Sequence, residues 1–298
     1  MKKFAFCAVL LLLFTSCASI GRFAFEPQID VHEESYFPEE FVFTDVKEGK
    51  ECLKQFHFSN RSFPVRYHIV KIDLKSPLIE FVFFPDSDDM ECDSYYKSMR
   101  TKKLAEKQKL DLAINFSPFE NEPNFFHFKS FYCSTKKIIG LHKVNGKLLS
   151  SHEKKYCALA FNEKKDAEEN TFYDVRIFAS QTDSEIKNYS SALGGFFVIL
   201  KDGVKQDFAA ATHDSRMAVG LDSERRFMYI LAVEGEFPRE SSGLSYQECA
   251  EIFLRLGCTD AMQADGGSST QMILNGKSLV PSPYTPIQGS SLGLRIRK

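Results

Sequence analysis

Short apolar runs of strand length recur along most of this 298-residue chain, and they constrain its fold more than any other feature. Several runs alternate apolar and polar residues, and turn signals such as Asn145-Gly146 separate them. The runs that we interpret as strands cover residues 63–74, 78–84, 110–116, 157–161, 174–179, 191–203, 216–222, 227–235, 260–265 and 291–297.

Two segments favour a helix. Residues 94–109 carry apolar side chains at helical spacing among many lysines. Ser245 and Glu248 have the spacing of a capping box, and Gly257 is placed to end the helix that follows. Many strands with few helices predict an α+β fold, built on a mixed, mostly antiparallel β-sheet with a few flanking helices.

The first residues have the pattern of a secretory signal. Lys2 and Lys3 precede a short apolar run, and Cys17 follows the two small residues Thr15 and Ser16. This pattern predicts a lipoprotein signal peptide over residues 1–16, with Cys17 as the lipidated residue of an extracytoplasmic, membrane-anchored protein in the periplasm or at the cell surface. A plain signal peptide with an incidental Cys17 is the alternative. We expect a tether and partly ordered lead-in over 17–60 and one domain over 61–298.

The charge balance argues against a nucleic-acid partner. Removal of Lys2 and Lys3 with the signal peptide leaves 36 basic against 40 acidic residues, so the mature chain has no strong basic field. Six cysteines remain beyond Cys17, and their spacing matches no zinc pattern. Their even number permits disulfides in an oxidising compartment, and their apolar surroundings equally permit buried free thiols.

A candidate site follows the strand that ends in Asp265. Two glycines there let backbone N–H groups approach a ligand closely, and three hydroxyl residues add donors. The carboxylate of Asp265 suits a hydroxyl, a water or a metal ion. The segment consists of Asp265, Gly266, Gly267, Ser268, Ser269 and Thr270. Taken alone, such a segment is equally typical of a plain turn.

Three other predicted strand ends also carry polar or charged residues. Glu234 closes a strand immediately before a glycine, Arg216 opens a strand shortly after His213, and Asn115 ends a buried strand before Pro118. Polar groups at four strand ends make a shared site more probable than any one of them does. His213 fits two interpretations, a residue that assists a phosphate and a solvated loop histidine.

Several motifs in a fixed order resemble those of one family. They are Asn115, "ALGGFFVILKDG", "SRMAVGLD", "AVEGEF" and "LGCTDAMQADGGSST". Their order and spacing resemble the phosphodiester glycosidases, the family of N-acetylglucosamine-1-phosphodiester α-N-acetylglucosaminidase. The resemblance implies hydrolysis of a sugar 1-phosphodiester at the C1–O bond, which releases the sugar and leaves a phosphomonoester. The implied substrate is a carbohydrate phosphodiester in an extracytoplasmic glycan.

The resemblance also implies roles for individual residues. Asp265 is the leading carboxylate, Glu234 is the second carboxylate, and Arg216 binds the phosphate. The implied substrate-binding residues are Asn115, Gly194, Gly195, His213, Gly266, Gly267, Ser268, Ser269 and Thr270.

Some positions depart from the family pattern. They are Met217, Glu234, Glu236, Gln263, Ala264 and Ser268. Because several of them lie near the implied site, a second hypothesis stays open, in which the chain is a catalytically silent surface lipoprotein that binds glycans or protein partners. Asp265 and Glu234 are also able to share a divalent cation, although no ligand spacing requires one.

Overall fold

The computed structural model describes residues 36–121, 135–209, 211–282 and 290–297. These residues belong to one compact unit. The helices are α1 (Thr101–Gln108) and α2 (Tyr246–Arg255), with 3-10 helices at Ser184–Asn188 and Gly267–Ser269. The strands are β1 (Thr44–Lys47), β2 (Lys50–Asn60), β3 (Val65–Asp73), β4 (Ile79–Phe84), β5 (Met90–Cys92), β6 (Tyr95–Lys97), β7 (Leu112–Asn115), β8 (Phe119–Asn121), β9 (Thr135–Ile138), β10 (His142–Val144), β11 (Lys147–Ser150), β12 (Ala158–Lys165), β13 (Thr171–Phe178), β14 (Ser191–Gly194), β15 (Val198–Lys201), β16 (Val204–Lys205), β17 (Arg216–Asp222), β18 (Phe227–Val233), β19 (Cys258–Gln263), β20 (Met272–Leu274), β21 (Lys277–Ser278) and β22 (Ser291–Ile296).

The strands form four sheets. The eight-stranded sheet has the order β1-β2-β3-β18-β17-β19-β15-β16, and two five-stranded sheets have the orders β11-β10-β14-β12-β13 and β21-β20-β7-β22-β4. A four-stranded sheet has the order β5-β6-β9-β8. Every strand pair within these four sheets is antiparallel, which confirms the mostly antiparallel prediction.

The fold is mostly β rather than the α+β fold that the sequence predicts. The helix predicted over 94–109 begins only at Thr101. Tyr95 and Tyr96 instead lie in β6, which pairs with β5 and β9. Aromatic residues fit a pleated, half-buried surface well, so the pairing of this strand outweighs the local helical spacing.

The main core lies between the eight-stranded sheet and the two five-stranded sheets. Their inner faces supply one continuous apolar cluster, which includes Ile72, Ile114, Phe161, Met217 and Met262, all nearly inaccessible to solvent. The opposite face of the eight-stranded sheet is covered by α2, through a second cluster. The ends of β17, β18 and β19 are therefore held in place by packing on both faces of the sheet.

The capping box of α2 is confirmed. The Ser245 side chain accepts a hydrogen bond from the backbone of Glu248, whose side chain accepts one from the backbone of Ser245. Gly257 follows the helix with a φ of +81°, a conformation that glycine adopts without strain. The hairpin formed by β17 and β18 and the turn at Asn145-Gly146 also lie where the sequence predicts them.

Residues 191–203, predicted as one strand, form two strands in different sheets. β14 lies in a five-stranded sheet and β15 in the eight-stranded sheet, with Gly194 and Gly195 near the crossing. A Cβ atom on Gly195 would clash with Met262 and with the carbonyl of Gln263. The crossing therefore requires glycine for close backbone packing.

The ordered sheet also includes β1 and β2, which precede residue 61 and occupy part of the predicted lead-in. Cys17 and the predicted signal peptide lie outside the described residues. Cys52, Cys92, Cys157, Cys249 and Cys258 are free thiols. Within the described ranges, no helix has the length and apolar character needed to cross a membrane.

Candidate active site

Three adjacent strands of the eight-stranded sheet bring predicted residues to one end of the molecule. In the register of β17 and β18, Arg216 lies opposite Val233, so Glu234 follows at the same end. In the register of β17 and β19, Ala218 lies opposite Gln263, so Asp265 also follows at that end. The antiparallel pairing thus collects Arg216, Glu234 and Asp265 from three separate parts of the chain.

Close backbone packing at this end centres on Asp214 and Ser215. A Cβ atom on Gly235 would clash with the amide of Ser215, and one on Gly243 would clash with the backbone of Asp214. One on Gly266 would lie 3.0 Å from the carbonyl oxygen of Ser215. These glycines let three loops approach the start of β17 more closely than any larger residue would.

Asp265 occupies the crossing from the eight-stranded sheet to the sheet that contains β7. Its backbone N–H donates to the carbonyl of Phe116 over 2.7 Å. The side chain is partly buried. Burial raises the pKa of its carboxyl group from the usual 3.8 to about 7, and a hydrogen bond from Ser269 opposes this effect only in part. A pKa in this range suits a group that exchanges a proton near neutral pH.

Asn115, predicted to orient the substrate, contacts the backbone of the Asp265 loop. Its Nδ2 donates to the carbonyl of Asp265 over 2.6 Å, and its Oδ1 accepts from the N–H of Gln271 over 2.8 Å. The side chain is almost wholly buried. Asn115 thus fixes both ends of the segment 265–271.

The amides of this loop are only partly available to an anion. Those of Gly267, Ser269 and Thr270 donate to backbone carbonyls. Those of Gly266 and Ser268 have no hydrogen-bond acceptor among the residues that the structure describes. The predicted set of donors is thereby reduced to two amides and the Ser268 hydroxyl, because the Ser269 hydroxyl donates to Asp265.

Arg216 lies on the face of the sheet that packs against α2. Its Nε donates to the carbonyl of Leu244 over 2.9 Å, and one Nη donates to the carbonyl of Thr212 over 2.6 Å. The guanidinium group lies 4.3 Å from the ring centroid of Tyr246. Within the described ranges, no carboxylate forms an ion pair with it. A buried cation without an anionic partner suits an anionic ligand.

Glu234 turns toward β3 instead. Its Oε1 lies 3.2 Å from Nε2 of His68, and its Oε2 lies 3.9 Å from the guanidinium group of Arg66. The ring of His57 stacks on that of His68 at 4.6 Å. Burial, and then the neighbouring His68, lower the pKa of His57. Glu234 is therefore the acidic member of a small basic cluster.

His213 and the glycine pair at 194–195 have structural partners. The His213 ring lies 3.0 Å from the Glu248 carboxylate, which also caps α2. Burial raises the pKa of Glu248, but hydrogen bonds from His213 and Ser245 outweigh it and give a net decrease. The amides of Gly194 and Gly195 donate to the carbonyls of Leu141 and Cys157, so neither is open to a substrate.

Aromatic side chains beside Arg216 are the feature that sequence reasoning missed. The Tyr246 ring lies 4.9 Å from Phe208 and 6.1 Å from Phe197. The Phe197 ring in turn stacks on Phe196, which contacts Tyr156. Phe197 is 39% exposed. The signal in the sequence was the Phe196-Phe197 pair directly after Gly-Gly, where a strand break leaves large rings near the surface.

The described residues contain no group of three or more histidine, cysteine or acidic side chains able to hold a metal ion. The divalent cation considered for Asp265 and Glu234 stays a prediction.

Comparisons with known proteins agree with the family resemblance. A family model described as phosphodiester glycosidase matches residues 121–291, more than half of the chain. No curated protein sequence matches. Among solved structures, the catalytic domain of zebrafish N-acetylglucosamine-1-phosphodiester α-N-acetylglucosaminidase, auto-inhibited by its pro-peptide, has a TM-score of 0.56 at 16% identity, over 87% of this chain and 88% of that one.

Two further structures share the fold. A protein from Synechocystis has a TM-score of 0.60 at 14% identity, over 84% of this chain and 63% of that one, so the chain spans less than two thirds of its length. A protein from Burkholderia pseudomallei has a TM-score of 0.59 at 12% identity, over 78% of this chain and 74% of that one.

Proposed function

The chain belongs to the phosphodiester glycosidase family, and on that premise we propose that it hydrolyses a sugar 1-phosphodiester in an extracytoplasmic glycan. The C1–O bond of the sugar breaks, and its electron pair leaves with the phosphomonoester. The oxygen of a water molecule bonds to C1, so the free sugar is released.

The observation that carries the proposal is that Arg216, Glu234 and Asp265 lie at one end of the eight-stranded sheet, and the raised pKa of Asp265 supports it. A carboxyl group with a pKa of about 7 exists in both forms near neutral pH, which suits a group that takes a proton from water. In its deprotonated form Asp265 accepts that proton as the oxygen attacks C1. The proton then passes to the phosphomonoester or to solvent, which restores the carboxylate.

Arg216 is assigned to the phosphate. The leaving group is a stable anion, which needs charge stabilisation more than protonation. The guanidinium group has no carboxylate partner among the described residues and retains donor capacity beyond its two backbone contacts. The free amides of Gly266 and Ser268 supply further donors nearby.

Glu234 is assigned to the positive charge that develops on the sugar ring. A carboxylate stabilises such an oxocarbenium-like transition state. His68 and Arg66 hold the Glu234 side chain in one orientation through contacts of 3.2 and 3.9 Å. Glu234 lies where the family pattern has Asp, so its longer side chain carries the charge one bond further from the backbone.

The test is turnover of a panel of sugar 1-phosphodiesters, followed by phosphorus NMR as diester signals convert to monoester signals. We expect Asp265→Asn to abolish turnover of any diester that the wild type cleaves. Asp207→Asn, in an exposed carboxylate, is the matched control and should retain the wild-type rate. Full turnover by Asp265→Asn would remove the central role assigned here.

The second hypothesis, a catalytically silent glycan-binding protein, is favoured by the contacts of Glu234 with His68 and Arg66, which hold this carboxylate among basic groups. Binding of a phosphodiester without turnover, lost in Arg216→Ala, would support it. Turnover by the wild type would exclude it.

We also propose that Cys17 carries a lipid anchor. Metabolic labelling with a tagged fatty acid should modify the wild type, and Cys17→Ser should stay unlabelled. Equal labelling of both chains would exclude this anchor.

A further inference from the structure

Three aromatic rings adjoin Arg216, and we call them the aromatic strip. They belong to Tyr246, Phe208 and Phe197. The Arg216 guanidinium group lies 4.3 Å from the centroid of the Tyr246 ring, and the Phe208 and Phe197 centroids lie 4.9 and 6.1 Å from the same ring. A phosphate that binds to Arg216 therefore lies next to a continuous set of apolar side chains.

The aromatic strip is open to solvent. Phe197 is 39% exposed, and Phe208 and Tyr246 are half-buried. Single exposed apolar residues are common on protein surfaces, whereas contiguous ones that adjoin a polar group are typical of ligand sites. The strip therefore extends the candidate active site on the side of the sheet where α2 lies.

Backbone polar groups of the strip already have partners within the protein. The carbonyls of Phe197 and Phe208 accept hydrogen bonds from the backbone of Gln263 and the side chain of Gln247. The N–H of the neighbouring Phe196 donates to the carbonyl of Gln263. A sugar ring on the strip would find none of these groups free, and a buried hydroxyl without a partner is unfavourable.

The rings of the strip are inclined to one another. The plane of the Phe197 ring meets those of Phe208 and Tyr246 at 62° and 58°, and the latter two planes meet at 63°. The strip is therefore a contoured apolar surface rather than one flat platform. A flexible hydrocarbon chain makes more close contacts with such a surface than a rigid ring does.

We propose that the alcohol arm of the diester is a hydrocarbon chain, which lies along the aromatic strip while Arg216 holds the phosphate. The substrate is then a lipid-linked sugar or glycan, in which the phosphate joins C1 to an apolar alcohol. The C1–O bond breaks as described above, so the products are the free sugar and the monophosphate of the lipid alcohol. This inference rests on the proposed function for the position of the phosphate. The anchor proposed at Cys17 would keep the chain beside the membrane that holds such lipids.

Calorimetry with the full chain tests the proposal through three phosphomonoesters: methyl phosphate, glucose 6-phosphate, and octyl phosphate below its critical micelle concentration. Each buried CH₂ group strengthens binding about fourfold, so octyl phosphate should bind about tenfold or more tightly than methyl phosphate. Glucose 6-phosphate should bind no more tightly than methyl phosphate. Octyl phosphate that binds no more tightly than methyl phosphate would overturn the proposal, as would tighter binding of glucose 6-phosphate than of octyl phosphate.

Variants locate the bound hydrocarbon chain. Phe197→Ala and Phe208→Ala each remove one ring, and each should reduce the ratio of octyl to methyl phosphate affinity about fivefold. Leu148→Ala, at an exposed apolar residue of β11, is the matched control and should keep the wild-type ratio. Arg216→Ala should weaken the binding of octyl phosphate, because its phosphate loses the guanidinium group. A wild-type ratio in both folded phenylalanine variants, or wild-type octyl phosphate affinity in folded Arg216→Ala, would overturn the assignment.

Turnover separates this proposal from hydrolysis itself. The octyl ester of one sugar 1-phosphate should have a kcat/KM about tenfold or more above that of the methyl ester. Equal kcat/KM values for the two esters would overturn the hydrocarbon arm and leave the hydrolysis standing. A wild type that cleaves neither ester, but binds octyl phosphate with the expected preference, would refute the hydrolysis alone.

Discussion

Replacement of Asp265 by Asn should stabilise the fold at high pH while it removes activity. In the unfolded chain this carboxyl group has an ordinary pKa of 3.8, and burial raises it to about 7 in the folded protein. The folded state therefore binds its proton more tightly than the unfolded state. Stability from this group is fully present below pH 3.8 and is lost as the pH rises through 7. Above that range the folded protein holds a carboxylate that burial disfavours.

The magnitude follows from the two pKa values. A difference of this size corresponds to about 4 kcal/mol once both states are deprotonated, because each pKa unit is worth about 1.4 kcal/mol. At about pH 5 this group lowers the free energy of unfolding by less than about 2 kcal/mol, because the folded carboxyl group is still protonated. Asn resembles the protonated carboxyl group in shape and carries no charge. The stability advantage of Asp265→Asn should therefore increase by about 2 kcal/mol or more between pH 5 and 8.

Urea unfolding followed by circular dichroism measures this difference, since the chain has no tryptophan. The wild type and Asp265→Asn are compared at both pH values, so that pH effects from other groups cancel. Asp207→Asn should show no comparable pH-dependent advantage. An Asp265→Asn protein that is no more stable than the wild type at pH 8 would refute the raised pKa and the proton-accepting role that depends on it.

Three further predictions concern the same end of the sheet. Deprotonation of Asp265 should raise kcat/KM with a midpoint near pH 7, the pKa of the free enzyme. It should raise kcat with a midpoint at higher pH, because a bound phosphodiester favours the protonated carboxyl group, and KM should rise over the same range; a pH-independent kcat would contradict this. Asn115→Ala removes hydrogen bonds of 2.6 and 2.8 Å and should cost about 2 kcal/mol of stability and most of the activity. Asn162→Ala is the control: it removes two similar hydrogen bonds to residues 188–190 and should lower stability without lowering turnover. Gly235→Ala would clash with Ser215 and should destabilise the protein by about 3 kcal/mol. Gly203→Ala is the control, because its Cβ would meet no atom within 4 Å and only its φ of +77° disfavours alanine, at a cost of about 1 kcal/mol. Equal thermal unfolding of the two variants would refute the packing argument.

The sequence predicted those elements whose signals are local. The capping box of α2, the Asn145-Gly146 turn and the hairpin of β17 and β18 each depend on residues a few positions apart. The end of β19 at the Asp265 loop was also predictable, because a strand followed by Gly-Gly is a local break. These elements bring three of the predicted residues to one end of the large sheet.

The division of strands among sheets was not predictable from local pattern. β14 and β15 form one apolar run in the sequence, and only the packing of Gly195 against Met262 and Gln263 shows why the chain changes sheets there. β6 was missed because its partners, β5 and β9, outweigh the helical spacing.

The directions of side chains were the hardest feature to predict. The family resemblance implied that Asn115 binds the substrate. Its actual partners are backbone groups of Asp265 and Gln271, about half the chain away. Arg216 and Glu234 likewise lie at one end of the sheet while contacting different elements, α2 and β3. Strand register fixes position along the sheet, but not the hydrogen bonds that each side chain makes.

The acidic surroundings of Arg216 explain why kcat and KM should rise together. The residues Asp214, Glu234, Glu236 and Asp265 all lie at this end of the sheet. Arg66 is already paired with Glu240 at 2.6 Å, so Arg216 carries most of the attraction for a phosphate. Deprotonation of Asp265 adds one more negative charge, which weakens phosphodiester binding as it creates the proton acceptor. The same ionisation therefore speeds the chemical step and disfavours the substrate, so kcat/KM should change less with pH than kcat does.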